Sequence, residues 1–221
     1  MMTYSEIERE LNEIPKFGAK ASLSNLSAYL ELANHPERNL RVIHIAGTNG
    51  KGSVSAYIDS ILRQAGYMTA LFTSPHLIKI NERFRINFKE CSDEELINAW
   101  CSVKDYMVKG KEKGLQSLTF FEILFFMGML IFSEKAIDYC ILETGLGGRL
   151  DATVLSNPVL SVITSISYDH TEILGDTIEQ IAAEKAGIIK EGIPVVAIDE
   201  ENGAFSVIER TAKEKNAPVY G

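Results

Sequence analysis

The chain has 221 residues, long enough for one domain with a full hydrophobic core. Its 22 Lys and Arg against 30 Asp and Glu leave a net charge of −8, and no basic tract speaks for nucleic acid or an anionic membrane surface as partner. Cys91, Cys101 and Cys140 share no metal-type spacing and suit buried thiols in a reducing cytoplasm, and the N-terminus lacks the basic-then-apolar layout of a signal peptide.

Elements alternate along the chain. Ile7, Leu11 and Ile14 mark an amphipathic N-terminal segment, followed by the turn-rich Pro15-Lys16-Phe17-Gly18. A second helix pattern runs through Leu26, Tyr29, Leu30 and Leu32 and closes at Asn34-His35-Pro36. Residues 41–46 form an apolar strand. Val54, Tyr57, Ile58, Ile61, Leu62 and Ala65 then recur at helical spacing up to Gly66. Residues 67–72 are the next strand, and residues 82–88 read as a short strand near an edge. Ser92-Asp93-Glu94-Glu95 is a capping box for a helix through Trp100 toward Val108, ahead of a lysine-rich loop from Gly110 to Gly114. Thr119-Phe120-Phe121-Glu122 is a second capping box. It opens the longest apolar-rich stretch, residues 120–132, which carries Glu122 and is too short to span a bilayer, so it is a core helix. Residues 137–142 and 159–166 are apolar strands of the kind buried on both faces of a parallel sheet. A helix starts at Asp176-Thr177-Ile178-Glu179 and ends near Gly187. A strand at 194–198, a helix at 204–215 and the start of a strand at Val219 complete the pattern. It predicts an α/β fold: a P-loop-containing, mostly parallel sheet with helices on both faces.

The chemistry concentrates after the strand at 41–46, in Gly47-Thr48-Asn49-Gly50-Lys51-Gly52-Ser53. Its glycines let the backbone approach a ligand and turn successive N–H groups toward an anion, with the positive end of the following helix behind them. Lys51 would reach terminal phosphates and Ser53 a phosphate or its Mg²⁺, which makes ATP the expected ligand. The usual P-loop has glycine where Ile45 stands. A plain strand-to-helix turn is the competing role.

Ligands in such sheets sit at the carboxyl ends of the strands. The strand at 67–72 is followed there by Thr73-Ser74-Pro75-His76. The strand at 137–142 is followed by Glu143-Thr144-Gly145-Leu146-Gly147-Gly148-Arg149-Leu150-Asp151, and the strand at 159–166 by Ser167-Tyr168-Asp169-His170-Thr171. Ser74, Glu143 and His170 are thereby delivered to the rim of the P-loop as candidate Mg²⁺ ligands, although Mg²⁺ prefers oxygen, so spacing alone leaves His170 open between metal ligand and loop residue. Each has a structural alternative: a turn for Ser74 before Pro75, a salt bridge to Arg149 for Glu143, a loop cap for His170.

These segments, together with Asn81-Glu82-Arg83, Ala152-Thr153 and Glu184-Lys185-Ala186-Gly187-Ile188-Ile189, resemble folylpolyglutamate synthase/dihydrofolate synthase, a family grouped with the Mur ligases. The motifs span nearly the whole chain in family order. The resemblance implies an ATP-dependent ligase that phosphorylates the carboxylate of folate or dihydropteroate and lets L-glutamate attack the acyl phosphate. It implies ATP on Gly47, Thr48, Asn49, Gly50, Lys51, Gly52 and Ser53, and two Mg²⁺ ions on Ser74, Glu143 and His170. Lys51, His170 and Lys185 take the catalytic positions, with Lys185 matching a carbamylated lysine. Thr119, Phe120, Phe121 and Glu122 with Leu150, Asp151 and Ala152 would line the pterin pocket, and the Phe17-Gly18 loop would close over it.

Read without the family, Lys185 is a solvated charge near a helix end, Glu122 the far partner of a capping box, and Phe120 and Phe121 are core. Val154 departs from the family pattern, where asparagine is usual. Family length implies that residues 1–221 are an incomplete N-terminal ATP-binding domain, with a C-terminal α/β domain that helps grip glutamate and adenine missing and little activity left. A monomer in the cytoplasm is expected. The alternatives are an ATP-binding module without catalysis and a Mur-type amino-acid ligase acting on a UDP-sugar peptide.

Overall fold

Five consecutive buried residues, Val42–Ala46, form β1 near the middle of the sheet, where apolar side chains are covered on both faces. The computed structural model describes residues 2–15 and 23–221, so the Phe17-Gly18 loop lies outside the described residues. The other strands are β2 (Thr69–Phe72), β3 (Phe84–Ile86), β4 (Lys89–Glu90), β5 (Tyr139–Glu143), β6 (Pro158–Ile163), β7 (Val195–Ala197) and β8 (Val219–Tyr220). Their order is β4-β3-β2-β5-β1-β6-β7-β8. From β2 to β8 the pairing is parallel, and β3 and β4 close one edge as an antiparallel hairpin.

The helices are α1 (Tyr4–Asn12), α2 (Leu23–Leu32), α3 (Lys51–Gln64), α4 (Asp93–Glu112), α5 (Phe120–Ser133), α6 (Thr171–Leu174), α7 (Ile178–Ala186) and α8 (Ala204–Glu214). Side-chain alternation along the strands splits the core between the two faces. Ile43, Ile45, Leu71, Ile141 and Val162 meet Val54, Ile58 and Leu62 of α3. On the other face Val42, Phe72 and Leu142 join the aromatic cluster of α5, while Ala46, Ile163 and Val195 join the aliphatic cluster of α7 and α8. The α/β, mostly parallel reading therefore holds, and no helix among the described residues is long and apolar enough to cross a membrane.

Several boundaries move. Glu143 is the last residue of β5 rather than the first after it, paired in register with Ile45. Residues 82–88 split into a 3₁₀ turn (Ile80–Arg83), β3 and the bend to β4. Helix α4 runs through Gly110 to Glu112, because a Cβ at Gly110 would fall 2.2 Å from Tyr29 Cε1 and only glycine lets α4 lie that close to α2. On α3 the predicted stripe is rotated. Tyr57 and Ile61 are exposed while Ser55 and Asp59 are buried, Asp59 taking the Thr69 hydroxyl and the Arg63 guanidinium. Cys91 and Cys140 are buried as expected, but Cys101 is exposed.

Candidate active site

Register fixes which loops meet. Ile45 lies opposite Glu143 and Ala46 opposite Ile163, so the segments after β1, β5 and β6 leave the sheet side by side. Gly47 turns first, at φ +149°, and a Cβ there would sit 1.8 Å from Thr164 Oγ1. Gly50 follows at φ +83° as the N-cap of α3, with no side chain capping the helix. The amides of Lys51, Gly52 and Ser53 thus lack intrahelical partners at an exposed, electropositive helix end, which is the anion cradle the sequence predicts. The cradle is tied to β6: Thr48 N donates to Ser165 O at 2.7 Å, Thr164 Oγ1 to Asn49 O at 2.7 Å, and Thr48 Oγ1 to Ser167 O at 3.1 Å.

Two lysines converge on this loop. Lys51 Nζ donates to Gly47 O at 3.0 Å and Thr48 O at 3.2 Å, and Lys185 Nζ reaches the same Gly47 carbonyl at 2.8 Å. Lys185 is only 2% exposed, which overturns its reading as a solvated charge. The cause is the glycine-rich 145–149 loop lying over the end of α7. Backbone contact is close enough that a Cβ at Gly148 would be 2.8 Å from the Glu184 and Lys185 carbonyls, and one at Gly187 would be 2.4 Å from Arg149. Burial, with Lys51 nearby, lowers the Lys185 amine to about 8 against the pull of Asp169.

The opposite wall is acidic. Glu143 is 4% exposed, and its Oε2 accepts the Ser74 amide at 3.1 Å. It does not pair with Arg149, which instead binds Glu184 at 2.6 Å. Burial raises the Glu143 carboxyl despite the Ser74 amide, Lys51 and Arg83. A Cβ at Gly52 would lie 3.8 Å from Glu143 Oε2, so the carboxylate sits beneath the first turn of α3. A buried carboxylate beneath the free amides of the 51–53 turn, accepting one amide, has the chemistry to hold a hard divalent cation. No group of three or more His, Cys, Asp and Glu converges among the described residues. His170 stands apart: it is the N-cap of α6 at φ +44° but makes no side-chain cap bond, and its half-exposed ring lies 3.5 Å from Asp169 Oδ1.

The predicted pterin residues divide by role. Asp151 is 5% exposed, and its carboxylate is spent on the amides of Gly145, Leu146 and Thr153 and on the Thr153 hydroxyl, so it holds the glycine loop rather than facing a ligand. Thr153 Oγ1 in turn meets buried His44 Nε2 at 2.8 Å. Glu122 Oε2 accepts from Thr119 N and Thr119 Oγ1, and the box is closed by Glu122 N donating to Thr119 Oγ1. Phe121 packs under Gly145, where a Cβ would be 2.6 Å from its Cζ, and 5.8 Å from the Phe72 ring. Phe120 and Ala152 are buried, and Leu150 is exposed. Val154 is buried where asparagine was the family expectation; its amide donates to Asp151 O at 3.1 Å and its carbonyl accepts from Lys190 Nζ at 2.7 Å.

Sequence reasoning missed Arg83 and Asp169 as members of the site. Arg83 is buried beside Glu143, and with Lys79 and Arg85 as neighbouring cations the sequence carries no signal that sets it apart. Asp169 acts electrostatically on Lys185, a pairing that sequence spacing does not display.

Residues 45–221 match the Mur ligase middle domain. A dihydrofolate synthase/folylpolyglutamate synthase of Bacillus subtilis (strain 168) is 45% identical over 204 residues, covering 92% of this chain and 47% of the relative. Among solved structures, the apo form of L. casei FPGS superposes with a TM-score of 0.94 at 32% identity, over 99% of this chain and 53% of that one. E. coli FolC in complex with DHPP and ADP gives 0.89 at 32%, over 99% and 51%. The chain thus spans about half the length of the relatives it matches, and the resemblance read from its motifs is borne out.

Proposed function

This chain belongs to the Mur ligase family through its middle domain, and on that premise we propose that it supplies the ATP- and acceptor-binding half of a folylpolyglutamate/dihydrofolate synthase. The observation that carries the reading is the convergence of Lys51 and Lys185 on the Gly47 carbonyl, with buried Glu143 beneath the same loop. A bare nucleotide-binding module needs neither Glu143 nor a buried Lys185.

In this reading the free amides of 51–53 and Lys51 hold the ATP phosphates. Lys51 exchanges the carbonyls of Gly47 and Thr48 for phosphate oxygens, a short swing for a flexible stem. Ser74, Glu143 and His170 are the residues proposed to hold Mg²⁺, which when bound neutralises phosphate charge and orients the transferred group. Phosphoryl transfer asks for positioning and charge neutralisation, not for a protein nucleophile. The acceptor carboxylate attacks the γ-phosphorus, the bond to the β–γ bridging oxygen breaks and ADP leaves. The amine of L-glutamate then adds to the acyl carbon, and phosphate departs as the amine proton is lost. Lys185, lowered to about 8, has enough neutral amine near pH 7.5 to add CO₂, consistent with the carbamylated state the family resemblance implies. Phe121 and Leu150 are proposed to meet the pterin-bearing acceptor, while Asp151 and Glu122 keep their loops in place for it.

Thermal denaturation with ligands tests this reading, because a ligand that binds the native state stabilises it by an amount that grows with the logarithm of its concentration over Kd. ATP–Mg²⁺, dihydropteroate and tetrahydrofolate are each expected to raise Tm. A rise with a UDP-muramyl nucleotide alone would overturn the folate assignment in favour of a peptidoglycan-type ligase.

A further inference from the structure

Arg83 is a buried cation without a matching anion of its own. It is 6% exposed, and burial lowers it to about 10 even with Glu143 and Glu82 opposing. Its Nε is spent on His76 Nδ1 at 2.7 Å. Its terminal guanidinium nitrogens have no hydrogen-bond partner and no ion pair among the described residues. The neighbouring carboxylates are both committed. Glu82 receives the amides of Leu77, Ile78 and Lys79 at 2.7–2.8 Å, and Glu143 belongs to the metal wall. A buried charge of this kind is costly unless a ligand completes it.

Its position says which ligand. The Arg83 carbonyl accepts Thr73 N at 3.2 Å, which fixes the residue against the end of β2, one residue before Ser74. On the other side the guanidinium carbon stands 5.7 Å from the Phe120 ring centroid, at the start of the aromatic wall that continues to Phe121 and Phe72. Arg83 therefore lies between the metal wall and the aromatic wall. A planar guanidinium with terminal nitrogens to spare is built for a carboxylate, and His76, by taking Nε, turns those nitrogens away from itself.

We infer that Arg83 grips the reacting carboxylate of the aryl acceptor, with His76 as the positioning residue that aims it. The inference rests on the folate reading above and adds a specificity determinant to it. One carboxylate oxygen takes the phosphoryl group. The other stays on Arg83 and is still held there when negative charge develops on it during attack by the amine.

The test compares acceptors that differ only in that charge. Dihydropteroate and tetrahydrofolate are titrated against the chain with MgATP, each beside the analogue whose terminal carboxylate is a carboxamide. The wild-type chain should prefer the carboxylate by about tenfold or more. Arg83→Gln should bring that ratio close to one while leaving the affinity for ATP within about twofold, and Arg83→Lys should restore part of it. Equal affinity of the wild-type chain for carboxylate and carboxamide overturns the inference and leaves the folate reading standing, and needs no variant to fold. Failure to bind either form overturns both. An Arg83→Gln chain that keeps the full preference also overturns the role of Arg83.

Discussion

The two walls of the site are charged in opposite senses and solved in opposite ways. On the P-loop wall, Lys51 and Lys185 are both parked on one main-chain carbonyl, Gly47 O. On the acidic wall, Glu143 has a single amide, from Ser74, and Arg83 has a single ring nitrogen, from His76. Burial lowers the Lys185 amine and raises the Glu143 carboxyl, so each wall resists the charge it carries. A domain selected for stability alone would have joined these charges to each other or lost them. Side by side and not ion-paired, they suit the polyanionic ligand and the cation proposed for this site.

The largest expected effect lies in the backbone of the P-loop wall. Gly47→Ala places a methyl 1.8 Å from Thr164 Oγ1 at a φ of +149°, so the loop and β6 must separate. The expected cost is on the order of 3 kcal/mol of unfolding free energy, read by chemical denaturation, together with loss of ATP binding. A change below about 1 kcal/mol would mean that the cradle is not rigidly built.

Glu143→Gln tests the acidic wall with a smaller effect of mixed sign. A carboxyl raised by burial stabilises the fold below its unfolded value, and that contribution is lost as pH rises through the folded value. Above that folded value the ionised group is a burden, so there the amide should leave the ligand-free chain as stable or slightly more stable. The same variant should lose about tenfold or more of the Mg²⁺-dependent part of its ATP affinity. A uniformly destabilised variant with unchanged Mg²⁺ dependence would assign Glu143 to the fold instead.

The gentlest probe concerns the basic wall. Lys185, lowered to about 8 from an ordinary 10.5, is neutral in the folded chain over a range where the unfolded chain still holds its proton. Its contribution to stability therefore rises with pH between about 8 and 10.5 and is fully unfavourable below about 8. Competitive amine labelling followed by mass spectrometry should show Lys185 titrating near 8. Titration at the ordinary lysine value would put the group in water.

Much of this was legible in the residues. The glycine pattern 47–53, the strand ends that carry Ser74 and Glu143, and two capping boxes rest on local rules, and the α/β alternation follows from hydrophobic period. The errors arose where tertiary contact overrules local preference. Lys185 sits in an unremarkable Ala-Glu-Lys-Ala run, and only tertiary contact, the glycine loop packed on the end of α7 and the Gly47 carbonyl that takes its amine, marks it as buried. The family resemblance put Asp151 beside the pterin, and no local rule shows that its carboxylate gathers the amides of a run of glycines. On α3, Val54, Ile58 and Leu62 of the stripe pack on the sheet, while Tyr57 and Ile61 are turned out because Asp59 is drawn inward by Thr69 and Arg63, a polar anchor that hydrophobic periodicity cannot register. Arg83 was quoted in a motif and given no task, since its isolation is a property of space rather than of sequence.

The stitching of the P-loop to the end of β6 has a mechanical consequence. Asn49 and Ser165 form a bridge, and the Thr48 hydroxyl both donates to the Ser167 carbonyl and accepts the Ser167 amide. The phosphate cradle and the strand leading to Asp169 and His170 therefore form a single lever. A displacement of the loop is thereby passed directly to Ser165 and Ser167, the residues that lead to Asp169 and His170.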